Sequence, residues 1–109
     1  MSKDYLSLYL VFDDKKALDN ISFEGEGCAI LMASASMMTE LLKGKSMVEI
    51  GRLMIEFRKI LNGELEYSQI LGELNIFSGL TQFQSRIKCA LLAWDNLMEG
   101  VEEQCQKCQ

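Results

Sequence analysis

In the stretch YLSLYLVF, Leu6, Leu8 and Leu10 alternate with Tyr5, Ser7 and Tyr9, the two-residue period of a strand that buries one face. After the polar break Asp13, Asp14, Lys15 and Lys16, residues 17–26 carry Leu18, Ile21 and Phe23 and read as the returning strand of a hairpin. From Cys28 the period changes. Ile30, Leu31, Ser34, Met37, Met38, Leu41 and Leu42 fall at three- and four-residue spacings, a helix that Gly44 stops. Ser46 followed by Glu49 has the form of a capping box and opens a second helix to about Leu61, closed by Asn62 and Gly63. Its apolar positions Val48, Leu53, Ile55, Phe57 and Ile60 give no clean stripe, so its face stays open. A weaker helical patch covers about 67–74. A long helix runs from Phe83 to about Glu103, with Ile87, Leu91, Trp94 and Leu97 or Met98 on one side. A hairpin followed by helices makes an α+β fold, a small antiparallel sheet packed against about four helices. The 109 residues are enough for one domain with one core.

Charge and cysteine usage narrow the chemistry. Lys plus Arg total 11 against 16 Asp plus Glu, a net charge of −5 spread along the chain, which argues against a nucleic-acid partner. The start MSKDYLSLYL lacks the features of a signal peptide, and CAILMASASMM is far short of the roughly 18 apolar residues a bilayer span needs. The expectation is a soluble cytoplasmic chain with no membrane partner, in which cysteines serve metal or redox chemistry more than disulfides. There are four cysteines, Cys28, Cys89, Cys105 and Cys108, and 0 histidines, so histidine catalysis and histidine ligation are excluded. Scattered carboxylates supply no evident general base, and the isolated chain is not expected to be an enzyme.

Two cysteines stand at chemically suggestive places. Cys28 closes FEGEGC at the first turn of the following helix, where unpaired amide hydrogens and the helix dipole favour negative charge. Gly25 and Gly27 let the backbone turn and let a ligand or partner approach. Cys89 lies near the start of the last helix with Arg86 and Lys88 beside it. A pair of soft sulfurs suits soft-metal binding or sulfur transfer. Free cysteine is also among the most buried residue types, so the residues alone leave core packing open.

The blocks FEGEGCAILMASASMMTELLKGKS and RIKCALLAW resemble the two signature blocks of the U-type iron-sulfur cluster assembly family, which comprises IscU, the N-terminal domain of NifU, and SufU. The resemblance covers residues 4 to about 101, and lysine directly before Cys89 is similar to the SufU branch. It implies a scaffold fold and a site of three cysteines and an aspartate that holds zinc, receives persulfide sulfur, or carries a nascent [2Fe-2S] cluster. The family's second and third cysteines correspond to Cys28 and Cys89. Where the family has Cys-Gly-Asp, this chain reads Ser2, Lys3, Asp4, which keeps the aspartate and departs at the cysteine. The family's N-terminal helix and the strand after it have no counterpart here, so the expectation is a single domain over 1–109, N-terminally truncated relative to the family.

By that resemblance the metal ligands are Asp4, Cys28 and Cys89, with an open fourth position that zinc tolerates. Cys89 is the persulfide acceptor, with Arg86 and Lys88 guiding the persulfide or the partner. Ser2 is a poor substitute ligand, and a complete cluster asks for four ligands, so cluster binding by one chain is expected to be weakened. The expected partners are a cysteine desulfurase and apo iron-sulfur acceptor proteins. The function expected first is a cluster scaffold or sulfur acceptor. The alternatives are a zinc-binding accessory protein that activates the desulfurase, and a truncated interaction module without chemistry. The tail pair Cys105 and Cys108 is either a frayed helix end, or a donor of the ligand missing at Ser2, or a resolver of a persulfide on Cys89. The methionines and Trp94 read as core. A two-stranded hairpin exposes an edge, and either packs on the helices with reduced stability or associates with a second chain through that edge.

Overall fold

The computed structural model describes residues 5–107, with side chains described up to residue 102. Strands β1 (Tyr5–Phe12) and β2 (Leu18–Glu26) form an antiparallel hairpin. Helices α1 (Ala29–Leu42) and α2 (Met47–Leu61), a 3-10 segment (Gly72–Leu80) and α3 (Gln84–Lys107) follow. The alternation seen in the sequence is the register: Leu6, Leu8, Leu10 and Phe12 pair with Gly25, Phe23, Ile21 and Leu18 on the inner face. Tyr5, Ser7, Tyr9 and Val11 stand outward opposite Glu26, Glu24, Ser22 and Asn20. The hairpin packs on α1 and α3. Among the described residues no helix is long and apolar enough to cross a membrane.

The hairpin turn is held by Asp13. Its Oδ1 accepts from the amides of Lys15 and Ala17, both at 2.9 Å, and its carbonyl accepts from Lys16 N at 3.0 Å. This geometry puts Lys16 at φ +67, the left-handed region that costs an L-residue about 1–2 kcal/mol. Part of that is recoverable. Lys16→Gly is expected to stabilise the fold by about 0.5–1 kcal/mol, the strain removed exceeding the added freedom of the unfolded chain. Chemical denaturation checks it, and an unchanged or lower midpoint would contradict it.

The helix ends follow the local signals. Ser46 Oγ accepts from Glu49 N at 3.2 Å and Glu49 Oε1 accepts from Ser46 N at 3.4 Å, a complete capping box. At the other end of α2, Gly63 (φ +79) donates to the Ile60 carbonyl and Glu64 N to the Lys59 carbonyl, the paired bonds of a Schellman motif. The α1 end is tied to the hairpin, because Leu18 O accepts from Gly44 N at 2.6 Å and Leu18 N donates to Lys45 O at 2.8 Å.

The core unites all the elements. Phe57 of α2 stacks on Trp94 of α3 at 4.7 Å between centroids and meets Phe77 of the 3-10 segment edge-on at 5.8 Å. Met38 is fully buried in it, as expected, and Met37 packs against it. On α2 the buried face is Ile50, Leu53, Met54, Phe57, Ile60 and Leu61, whereas Val48 and Ile55 point to solvent. The expected helical patch at 67–74 is corrected: the helical segment is 3-10, and it spans Gly72–Leu80. The reason is a polar staple ahead of it. Asn75 Oδ1 accepts from Ser68 N at 2.7 Å, and Asn75 Nδ2 donates to the carbonyls of Ser68 and Gly72 at 2.8 and 2.9 Å. These bonds satisfy 68–72 locally and hold it as a turn, and Gly72 supplies the left-handed residue (φ +54) at which the 3-10 segment begins.

Candidate functional site

The candidate residues lie on the hairpin, on α1 and on α3, which pack on one another. Tyr5 pairs with Glu26, so the end of β2 that leads into Cys28 lies beside the described start of β1. Cys28 is the N-cap residue of α1, with φ −67 and ψ 160, and its carbonyl accepts the first helical bond from Met32 N at 3.1 Å. Its sulfur does not cap the helix, so the extended backbone, and not a thiol-to-amide bond, holds it at the helix entrance. Neither α1 nor α3 has an acidic residue in its first turn.

Cys89 belongs to the second turn of α3, on the edge of the face that buries Ile87, Ala90, Ala93, Trp94 and Leu97. Two hydrogen bonds fix this helix against the rest. The buried Ser34 Oγ of α1 donates to the Ala90 carbonyl at 2.8 Å, next to Cys89 in the chain. Asn96 Nδ2 donates to the Leu6 carbonyl of β1 at 3.0 Å, about two helical turns beyond Cys89. Gly100 lies under Leu10, close enough that a Cβ there would sit 2.5 Å from Leu10 Cδ1. Following β1 from Leu10 back to Leu6 therefore follows α3 from Gly100 back to Asn96, toward Cys89. The hairpin, the helix that Cys28 caps and the helix that carries Cys89 are therefore packed on one another, and both cysteines are half-buried.

The other residues singled out from the sequence fall as follows. Arg86 is exposed, one helical turn before Cys89, and turns its guanidinium onto the Phe83 ring, 5.0 Å from the centroid. Lys88 is exposed and, as the adjacent residue, points about 100° around the helix from Cys89. The role expected for Gly25 as a point of ligand approach is corrected: what comes close is β1, since a Cβ on Gly25 would collide with the Tyr5 carbonyl oxygen. Asp4, Ser2 and Cys108 lie outside the described residues, as does the Cys105 side chain. Among the described residues no group of three or more Cys, Asp, Glu or His side chains is gathered for a metal ion. Asn96 was missed by sequence reasoning. The signal available was an amide side chain inside an otherwise apolar-striped helix.

The family model of the NifU-like N-terminal domain matches residues 2–109. The chain belongs to this family. It is 40% identical over 100 residues to an iron-sulfur cluster assembly scaffold protein IscU of Streptococcus pyogenes serotype M1, covering 91% of this chain and 62% of that protein. It is 40% identical over 92 residues to the zinc-dependent sulfurtransferase SufU of Bacillus subtilis strain 168, covering 84% of this chain and 63% of that protein. The chain thus spans less than two thirds of the length of these relatives. Among solved structures, a candidate iron-sulfur cluster assembly scaffold protein for the SUF system from Fervidobacterium islandicum AW-1 superposes with a TM-score of 0.81 at 33% identity, over 87% of this chain and 69% of that one. The N-terminal part of a NifU-like protein from Brucella abortus shares the fold, with a TM-score of 0.79 at 19% identity, over 92% of this chain and 72% of that one.

Proposed function

We propose that this NifU-like domain, acting as a single unit, accepts sulfur from a cysteine desulfurase and carries it with metal toward [2Fe-2S] clusters destined for apo iron-sulfur acceptor proteins. Cys89 is the sulfur acceptor, and Asp4, Cys28 and Cys89 form the metal-holding set. What supports this reading above all is that the cysteines of two separate signature blocks are both half-buried on helices joined by the buried Ser34–Ala90 bond, which falls one residue from Cys89. The names of the IscU and SufU relatives agree with it.

The donor set fits a soft metal. Two cysteine sulfurs with one carboxylate oxygen and a free position are a set that zinc accepts, and zinc when bound holds the sulfurs as thiolates. Sulfur transfer needs no outside oxidant or reductant. The Cys89 sulfur attacks the terminal sulfur of the desulfurase persulfide and forms a new S–S bond on Cys89. The donor's S–S bond breaks, and its cysteine leaves as a thiolate. Arg86 and Lys88, both cationic and exposed beside this turn, guide the anionic persulfide in.

The test is metal and acid-labile sulfide per chain in protein purified without oxygen, followed by mass spectrometry after incubation with desulfurase and cysteine. Wild type is expected to hold near-stoichiometric zinc, or iron with equal sulfide if the cluster form predominates. Cys28→Ser and Cys89→Ser are each expected to lose at least about tenfold in metal, since even outer-shell changes cost 10–100-fold. Cys89→Ser is also expected to lose the added sulfur atom. A wild-type chain with neither metal nor transferred sulfur would sink the reading.

A further inference from the structure

Two exposed faces of this chain are complementary to one another. On α2, Val48, Arg52, Ile55 and Lys59 recur at intervals of three and four residues and form a single stripe opposite the core face. Val48 is 81% exposed and Ile55 58%, and neither Arg52 nor Lys59 makes an ion pair among the described residues. Glu49 and Glu56 fall outside the stripe, about 80–100° around the helix from Val48. In a chain of net charge −5 this is a concentrated basic and aliphatic surface. The outer face of the hairpin is its opposite: Tyr5, Tyr9 and Val11 are about half exposed, and Glu24 and Glu26 stand beside them. The Tyr9 hydroxyl donates to Glu24 Oε2 at 3.0 Å, which fixes the ring and the carboxylate as one platform.

We infer that the occupant of the α2 stripe is the outer hairpin face of a second copy of this chain. Charge complementarity selects that partner: Arg52 and Lys59 meet Glu24 and Glu26 of the second copy around a centre of Val48 and Ile55 against its Tyr5 and Tyr9. Beside the stripe lies a recess of about 260 Å³ lined by Leu41, Leu53 and Ile70 together with Lys45, Arg52 and Glu49, large enough for one tyrosine ring. The contact is face to face between unlike surfaces, distinct from pairing at the strand edge. Each chain carries one face of each kind, so the association is heterologous and goes on past the dimer, closing into a ring or extending. It does not depend on the sulfur-transfer reading.

Sedimentation velocity on the wild-type chain, at rising concentration and in low and high salt, tests the inference. The expected result is self-association that weakens with salt as the charges are screened. Ile55→Glu on the helix stripe and Tyr9→Glu on the hairpin face should each weaken it at least about tenfold, or about 1.4 kcal/mol. Mixing the two variants should restore one intact interface and give a 1:1 heterodimer that grows no further. Near-UV circular dichroism from Trp94 shows that each variant is folded. A wild type that stays monomeric, an oligomer indifferent to both substitutions, or a mixture that behaves like its separate components would each overturn the inference.

Discussion

Replacing Trp94 by alanine is expected to destabilise the fold by about 3–5 kcal/mol, a large part of the 5–15 kcal/mol that holds a domain together. Trp94 is buried where α3 meets α2, stacked on Phe57, and Phe57 in turn contacts Phe77, so the pair links α3 and α2 to the 3-10 segment. Truncation leaves a cavity between helices that cannot all move inward at once. The ring is not an unmixed gain, because its Nε1 is buried without an acceptor among the described residues. An unmet donor costs roughly 1–3 kcal/mol, so Trp94→Phe should recover most of the loss by keeping the stack and removing that N–H. Denaturation midpoints of the two variants check both halves of the expectation. Equal losses in both would show that a phenyl-sized ring on Phe57 does not carry the stability.

Gly25→Ala is expected to cost about 1–3 kcal/mol and to loosen the site by more than that figure suggests. The added Cβ would run into the Tyr5 carbonyl oxygen, with Leu6 Cα at 3.0 Å and its Cδ1 at 3.2 Å. Two of those three atoms are backbone, so relief requires the strands to part at the Tyr5–Glu26 end, the end that leads into Cys28. Bound metal, in a chain that holds it, should therefore fall in Gly25→Ala at temperatures where circular dichroism still reports a folded protein. A control at the far end of the hairpin, Lys16→Gly, should leave metal untouched. Equal metal in both variants would show that the site does not depend on strand registry.

The hairpin, the capping box and the two cysteines were legible in the sequence because each is written in a few neighbouring residues. Period-two leucines, Ser46 with Glu49, and a thiol at a helix start are local signals, and local physics alone decides them. The 3-10 segment was misplaced by several residues because its position is set by Asn75 reaching back to Ser68, a bond no window of propensity detects. The face of α2 was unreadable for a related reason. Val48 and Ile55 are as apolar as Leu53 and Ile60, and only the packed neighbours separate the buried set from the exposed one. Arg86 was read as a companion of Cys89, and its hold on Phe83 depends on a ring three residues away that pattern reading passed over.

The bond from Asn96 to Leu6 joins residues 90 apart in the chain, and that from Ser34 to Ala90 joins residues 56 apart. Contacts of such long separation require loop closure before they return any stabilisation, and they form slowly. During synthesis the hairpin leaves the ribosome ahead of the helices, with the inner face of β1 bare until α3 arrives to pack on it. Cys28 is consequently made early and spends that interval without the helix that carries Cys89.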